Sequence, residues 1–230
     1  MKRHVVLSYP LRADAPVWPT NPPAADIELA DSMARGDPDN TTILRLYSHS
    51  GTHVDTPWHF NADGPAAWQL PIEAFIFEAP VLIDVAAGQR TIIGRSDLEA
   101  HAGAIEAADL VMLRTGWSGL RATDPDRFAN EGPVLHPDAA GWLIDENRAL
   151  RAIATDAISI GAPWTMDLSI ETHHVLTGVG RSDGRFVLIY EDVRLVPEAA
   201  AAIRVHAWPL FIDGADGSPV TIVAELDDGG

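Results

Sequence analysis

Short apolar runs recur along the chain, separated by clusters of turn residues, and this pattern predicts buried β-strands. The clearest run is Leu-Val-Met-Leu-Arg-Thr at 110–115, which ends at Gly116. A second run, 187–191, is apolar up to its last residue, Glu191. The remaining predicted strands have the same aliphatic and β-branched character: 5–7, 27–33, 41–47, 81–85, 151–156, 207–212 and 220–226.

Helical patterns are fewer than strand patterns. Residues 137–147 begin with Pro137, a residue that suits a first helical turn, and place Leu143 and Ile144 towards the inside. No repeat is visible and no linker divides the sequence. We therefore expect one α/β domain over residues 1–230, with a mixed sheet or partial barrel and surrounding helices.

Composition narrows the class of protein. Of the 230 residues, 47% are hydrophobic and 21% charged, which is typical of a soluble globular protein. The formal charge of −17 argues against nucleic acid or an anionic membrane as a partner, because both require basic patches. No apolar run approaches the roughly 18 residues of a membrane span, and the first residues lack the apolar core of a signal peptide. A cytoplasmic location is the default expectation.

The segment from His49 to Phe60 concentrates the chemistry. It contains three of the nine histidines and an aspartate, and no cysteine exists, so a metal here must bind nitrogen and oxygen ligands. The donors all have odd numbers, and an extended chain would aim them to one side. Gly51 and Pro57 disfavour the alternative, a helix. The four donors are His49, His53, Asp55 and His59.

One short segment does not complete a metal site, so we expect further ligands from the second half of the chain. Glu191 stands out because it ends a very apolar strand, where an unpaired carboxylate is costly. The spacing alone does not choose among the candidates, which are Asp156, Asp167, Glu171, His173, His174, Glu191 and Asp192.

These residues resemble a known family. The pattern H-x-G-T-H-x-D-x-P-x-H-F stands complete at 49–60 and is similar to the central motif of cyclase-like metal-dependent hydrolases, the family of bacterial kynurenine formamidase and isatin hydrolase. Weaker similarities extend over 7–19, 113–117 and 209–220. The resemblance implies a swivelling β/β/α-type fold with one or two divalent metal ions, zinc or manganese. It also implies a small-molecule substrate and a homo-oligomer, dimer or tetramer.

The resemblance also implies a role for each residue of the site. His59 matches the catalytic histidine of the family, and Asp55 the ligand that can bridge two ions. His173 is favoured over His174 as the ligand from the second half. The residues implied as ligands are His49, His53, Asp55, His173 and Glu191. The sequence departs from the family pattern at Gly161, where an aspartate is expected, and at 180–185, which lengthens the interval before Glu191.

Three functions remain open from the sequence. The first is a metal-dependent hydrolase that cleaves the C–N amide bond of an aryl-linked small molecule, such as an arylformamide (N-formylkynurenine) or a lactam (isatin). The second is an esterase, lactonase, cyclase or lyase on the same scaffold, and the third is a silent metal-binding protein. Aromatic residues available for a substrate pocket are Trp18, Trp58, Phe60, Trp68 and Trp164.

Overall fold

Thirteen β-strands occur among residues 3–227, the part of the chain that the computed structural model describes. Every strand predicted from the apolar runs is present, with ends that shift by a few residues. The strands are β1 (Arg3–Val6), β2 (Ala25–Asp31), β3 (Thr41–Leu46), β4 (His53–Asp55), β5 (Ile76–Phe77), β6 (Pro80–Asp84), β7 (Ile92–Ile93), β8 (Leu110–Arg114), β9 (Val134–Leu135), β10 (Ala152–Thr155), β11 (Leu188–Glu191), β12 (Ala202–Pro209) and β13 (Gly217–Leu226).

The main sheet is mixed. Its strands follow the order β5-β12-β13-β4-β11-β10-β8-β6, with β1 paired to β13. Strands β6, β8, β10 and β11 run parallel to one another, whereas β4 is antiparallel to both β11 and β13. Strand β6 at one end also contacts β12, so the sheet curves into a nearly closed barrel. The predicted α/β class with a mixed sheet or partial barrel is confirmed.

Helices cover one face of this sheet. Helix α4 packs against α1 and α5, and its Leu143 and Ile144 are fully buried, as their spacing predicted. The α-helices are α1 (Arg95–Glu99), α2 (Ala102–Ile105), α3 (Pro125–Asn130), α4 (Pro137–Glu146) and α5 (Met166–Leu176). Short 3-10 helices occupy Met33–Arg35, Pro57–His59, Ala67–Gln69, Ile72–Phe75, Trp117–Leu120, Pro163–Thr165 and Pro197–Ala201.

The central strands are buried on both faces, which explains their continuous apolar sequences. In β8, Leu110 and Met112 belong to the core inside the barrel. The alternate residues Val111 and Leu113 belong to a second core, which lies between the sheet and helices α1, α4 and α5. Because side chains alternate along a strand, two cores require apolar residues at successive positions.

The extra segment 180–185 closes against the end of helix α4. The guanidinium of Arg185 donates to the carbonyl oxygens of Ile144 and, at 2.9 Å, of Asn147. Arg181 donates to Asp145 at 2.8 Å. Cations near the last turn of a helix satisfy its free carbonyl groups and oppose its dipole. The segment therefore stabilises a helix terminus and lies outside the ligand cluster described below.

No helix among residues 3–227 is long and apolar enough to cross a membrane.

Gly178 lies two residues after the end of helix α5, and its substitution tests how tightly the chain is packed there. Its φ is +78°, and an added Cβ would overlap the backbone carbonyl oxygen of Arg185. Gly180 has a similar φ of +71° with no atom within 4 Å of an added Cβ. We expect Gly180→Ala to cost roughly 1 kcal/mol for the left-handed conformation, and Gly178→Ala about 2 kcal/mol more because backbone must move. Urea unfolding of both variants measures the difference, and equal losses would contradict it.

Candidate active site

Strands β4 and β11 bring three of the predicted ligands onto one face. The two strands are antiparallel, with Glu191 opposite His53 and Tyr190 opposite Val54. Because side chains alternate, Val54 and Tyr190 enter the barrel core. His53, Asp55 and Glu191 then share the other face, and all three are buried. The predicted strand through this segment is present, although it is only three residues long and a 3-10 helix follows it.

Helix α5 places His173 beside this face. The helix is held against strand β9 by Thr172, whose hydroxyl donates to the carbonyl oxygen of Leu135 at 2.7 Å. The imidazole of His173 is buried and stacks on Phe60, with 4.4 Å between ring centroids. Its neighbour His174 is not among the residues that line the cavity over the site. The structure therefore brings His173, and not His174, to the other ligands.

His53 and His173 each place Nε2 close to an oxygen of both carboxylates. His53 Nε2 lies 3.3 Å from Glu191 Oε2 and 3.5 Å from Asp55 Oδ1. His173 Nε2 lies 3.6 Å from Asp55 Oδ2 and 3.6 Å from Glu191 Oε1. Two ligand atoms bound tetrahedrally to one zinc ion lie about 3.4 Å apart. The observed separations match that value and exceed the length of a strong charge-assisted hydrogen bond.

The second nitrogen of each imidazole explains which atom faces the cation. His53 Nδ1 lies 2.7 Å from the carbonyl oxygen of Gly51, and His173 Nδ1 lies 2.6 Å from that of Ser169. A carbonyl oxygen only accepts, so both Nδ1 atoms carry the hydrogen. Once Nε2 has lost its proton, each ring can present the Nε2 lone pair to a cation held between the carboxylates. This second contact is the usual way in which proteins orient histidine ligands, and the residues fit a divalent metal.

Asp55 belongs to two groups of three residues, each of which could hold a metal ion. The first comprises His53, Asp55 and Glu191, and the second His49, Asp55 and His59; within each group the atoms lie within 4.8 Å of one another. His49 Nδ1 is 2.6 Å from Asp55 Oδ1. A carboxylate shared in this way suits either one ion or two.

Protons balance the buried carboxylates when no cation is bound. Burial lowers the pKa of His173, but the carboxylates of Asp55 and Glu191 outweigh this effect and raise the pKa to about 10. Burial likewise opposes charge on His49, yet Asp55 and Asp216 raise its pKa to about 10. Burial raises the pKa of Glu191, but hydrogen bonds from the histidines lower it to about 2. Metal binding at this cluster must therefore release protons.

His59 occupies a different position from the other histidines. It lies in the 3-10 helix Pro57–His59, and its side chain is 26% exposed, whereas that of His49 is 8% exposed. Its Nδ1 lies 2.8 Å from Asp216 Oδ2, and the same oxygen lies 2.8 Å from His49 Nε2.

The sequence analysis missed Asp216 as a site residue. Asp216 could have been found because it lies within residues 209–220, one of the regions similar to the family. It directly precedes strand β13, which pairs with strand β4 of the motif.

Glu191 is held by the two residues that precede Gly161. Ser159 Oγ donates to Glu191 Oε1 at 2.8 Å, and the backbone N–H of Ile160 donates to the same oxygen at 2.7 Å. Gly161 follows, and an added Cβ there would lie 2.7 Å from Ser169 Cβ on helix α5. The glycine that replaces the expected aspartate thus permits close approach of the helix that carries His173.

The remaining carboxylates considered from the sequence have other partners or lie outside the site. Asp156 is buried and accepts hydrogen bonds from the segment 115–118. Asp192 borders the cavity, but both of its oxygens accept from the guanidinium of Arg121 at 2.7 Å. Two more are exposed on helix α5: Asp167 and Glu171.

A cavity of about 770 Å³, its open mouth included, lies over the ligand cluster. Of the five predicted aromatic residues, Trp18 and Phe60 line it. Trp58 and Trp68 do not line it, and both are exposed. Trp164 does not line it either, and its indole N–H donates to the carbonyl oxygen of Gly132. The apolar part of the wall is completed by Pro16, Val17, Tyr47, Ile158, Met166 and Ile170, and its uncharged polar side chains are Asn21, Ser159 and Ser169.

Comparison with known proteins shows the class to which this fold and site belong. The Cyclase family model, described as "Putative cyclase", matches residues 5–162. Kynurenine formamidase of Bacillus cereus is 31% identical over 218 residues, which cover 94% of this chain and 94% of that protein. Kynurenine formamidase of Bacillus mycoides is 30% identical with the same coverage. The chain belongs to the cyclase family.

Solved structures agree with this assignment. Isatin hydrolase A from Labrenzia aggregata, bound to benzyl benzoate, superposes with a TM-score of 0.83 at 23% identity, covering 98% of this chain and 94% of that one. A structure described as a potential metal-dependent hydrolase with cyclase activity gives a TM-score of 0.75 at 22% identity, covering 99% and 100%. The predicted family, fold and enzyme class, a hydrolase acting on carbon–nitrogen bonds other than peptide bonds, are confirmed.

His173 and His174 form a matched pair for testing the cluster. We expect His173→Ala to weaken binding of Zn²⁺ or Mn²⁺ by more than about 100-fold. Removing a residue that only hydrogen-bonds to a metal ligand costs up to about 100-fold in affinity, and removing the ligand itself should cost more. His174→Ala should change the affinity by less than about twofold, since its ring does not reach the carboxylates. Calorimetric titration of metal-free protein measures both, with circular dichroism as the check on folding. Equal affinities in the two variants would contradict the assignment.

Proposed function

We propose that this protein is a metal-dependent hydrolase that uses water to cleave the C–N amide bond of a small aryl-linked molecule. The observation that carries the proposal is that two imidazole Nε2 atoms each lie 3.3–3.6 Å from an oxygen of both buried carboxylates, beneath a cavity with apolar and aromatic walls. The curated relatives named kynurenine formamidase and the neighbours named isatin hydrolase support the reaction class.

The proposed metal ligands are His49, His53, Asp55, His173 and Glu191, for one or two ions of zinc or manganese. Such a cation supplies Lewis-acid polarisation of a carbonyl group and lowers the pKa of water. The chain itself fixes the ligand atoms, through backbone carbonyls at His53 and His173 and through Ser159 at Glu191. These contacts restrict the orientation of each ligand atom.

His59 is the proposed acid/base. It borders the cavity, is more exposed than the buried ligands, and has Nδ1 engaged with Asp216, which leaves Nε2 to exchange a proton. In the proposed reaction Nε2 takes a proton from the attacking water and returns it to the leaving nitrogen. Imidazole suits both steps because its ordinary pKa of about 6.5 lies near neutrality. A silent metal-binding protein would not require this group, so the third function is disfavoured.

The cavity wall favours an uncharged substrate. Trp18 and Phe60 offer aromatic faces, and Met166 and Ile170 add an apolar rim. Neither lysine nor arginine is among its described lining residues, while Asp192 is paired elsewhere. A buried carboxylate on the substrate would lack a cationic partner in the wall. A neutral lactam such as isatin therefore fits better than N-formylkynurenine, which carries an α-carboxylate. Ester, lactone or cyclase chemistry on the same scaffold is the alternative.

We also propose that the protein forms a homo-oligomer, a dimer or tetramer. The hairpin of β2 and β3 supports this proposal because its two strands pair only with each other within the described chain. Isolated two-stranded hairpins are marginally stable in water. Apolar side chains are nevertheless exposed on it, and a second copy would cover them: Ile27, Leu29, Ile43 and Leu44. A cytoplasmic location stays a prediction.

A substrate panel tests the proposed reaction. Metal-loaded protein is assayed with isatin, N-formylkynurenine, aryl esters and lactones, each with and without a chelator. We expect hydrolysis of an amide that is lost on chelation and regained with Zn²⁺ or Mn²⁺, and a higher kcat/KM for isatin than for N-formylkynurenine. Activity that survives complete metal removal would overturn every metal-based function. A preference for N-formylkynurenine would overturn only the uncharged-substrate argument.

The variant His59→Ala tests the division of roles within the motif. It should keep the wild-type metal content and lose turnover by about 10²- to 10⁴-fold, the range typical of a general acid/base. His53→Ala serves as the control that loses metal. Elemental analysis of both variants after dialysis, together with the assay above, measures the two effects. If His59→Ala loses its metal to the same extent as His53→Ala, His59 is a ligand and the assignment is wrong.

A further inference from the structure

Asp216 joins the two parts of the site. Its Oδ2 lies 2.8 Å from His49 Nε2 and 2.8 Å from His59 Nδ1. The two imidazole rings lie almost one above the other, with centroids 3.9 Å apart and planes inclined by 30°. One carboxylate oxygen thus accepts from two histidines, one from the ligand cluster and one from the cavity edge.

This arrangement fixes the hydrogen positions on both rings. An ionised carboxylate can only accept, so His49 donates from Nε2 and His59 donates from Nδ1. His49 is left with Nδ1, which lies 2.6 Å from Asp55 Oδ1. Nδ1 donates to that oxygen while it carries a proton, and its lone pair becomes available as a ligand when a cation displaces the proton. His59 is left with Nε2 as the atom able to exchange a proton. Without the acceptor, each ring could adopt the other tautomer and present an N–H where a lone pair is required.

Asp216 is itself held rigidly. Ser48 Oγ donates to its Oδ1 at 3.0 Å, and Thr56 donates to its backbone carbonyl from both Oγ1, at 2.7 Å, and N, at 3.3 Å. The next residue, Gly217, has no room for a side chain, since an added Cβ would lie 2.7 Å from His49 Cε1. These contacts fix the position of Asp216 next to both histidines. Asp216 is also absent from the cavity wall, so it serves the histidines and not the substrate.

We propose that Asp216 is a positioning residue that sets the tautomers of His49 and His59 together, and so couples the ligand cluster to the proton-transferring group. The part that concerns His59 rests on the proposed hydrolase function. The part that concerns His49 requires only that the cluster binds a cation. Carboxylates that orient histidine ligands typically contribute 10- to 100-fold to metal affinity or activity.

The variant Asp216→Asn tests both parts. Asparagine keeps the shape of the side chain but removes its negative charge, so its amide oxygen accepts from the two rings only through neutral hydrogen bonds, which are about half as strong as charge-assisted ones. We expect about 10- to 100-fold weaker binding of Zn²⁺ or Mn²⁺ by the metal-free protein, and a kcat lowered by a similar factor at saturating metal. KM should stay within about twofold, since Asp216 does not line the cavity. Asp213→Asn, an exposed carboxylate of the same turn, should leave all three quantities unchanged.

A double variant separates positioning from a general structural defect. If Asp216 acts on turnover through His59, adding Asp216→Asn to His59→Ala should lower kcat no further, while metal affinity still falls as in the single variant. Additive losses in kcat, or single-variant values equal to wild type, would overturn the proposal. If wild type hydrolyses nothing in the panel, the proposed function fails. The affinity of Asp216→Asn for metal then still decides the role at His49.

Discussion

The site depends on one electrostatic constraint, the burial of Asp55 and Glu191 on the same face of the sheet. Two carboxylates in a low-dielectric setting repel each other and lose hydration, so positive charge must be present between them. Two imidazoles, those of His53 and His173, adjoin both carboxylates, and their Nδ1 atoms are already hydrogen-bonded to backbone carbonyls. Either protons on Nε2 or a divalent cation must supply that charge. The pKa values raised in His49 and His173 express the same requirement in the absence of metal.

The barrel keeps these charges in place. Strand β4 is only three residues long, yet it is paired on both sides, with β11 and β13. Val54, between His53 and Asp55, is fully buried in the barrel core, so the strand cannot slip without exposing it and burying charge in its place. The apolar core on one face of the strand thereby determines the position of the polar ligands on the other. Fold stability and site geometry rest on the same residues.

Around the carboxylates, the proposed tasks are divided by depth. The buried groups are candidates for holding a cation, while His59 lies nearer to solvent where a proton can be exchanged. Asp216, whose side chain is 36% exposed, contacts His49 among the buried groups and also His59. Above them the wall changes to aromatic and apolar side chains such as Trp18 and Phe60. The site therefore has charged residues at its base and apolar residues along its wall. Apolar surroundings exclude water and lower the local dielectric constant, which strengthens electrostatic effects on a bound amide.

The sequence by itself determined the strand pattern, the α/β class and the motif at 49–60, because these depend on periodicity and on residue types at short spacing. The resemblance it carries also singled out Glu191 and His173. Only the tertiary structure decided that His173 and not His174 meets Asp55, since neighbouring helical residues point about 100° apart and packing chooses between them. It also decided which aromatic residues line the cavity, excluding Trp58, Trp68 and Trp164. Asp216 escaped sequence reasoning for the same reason: its partner His59 is 157 residues away, and only the pairing of β4 with β13 joins them.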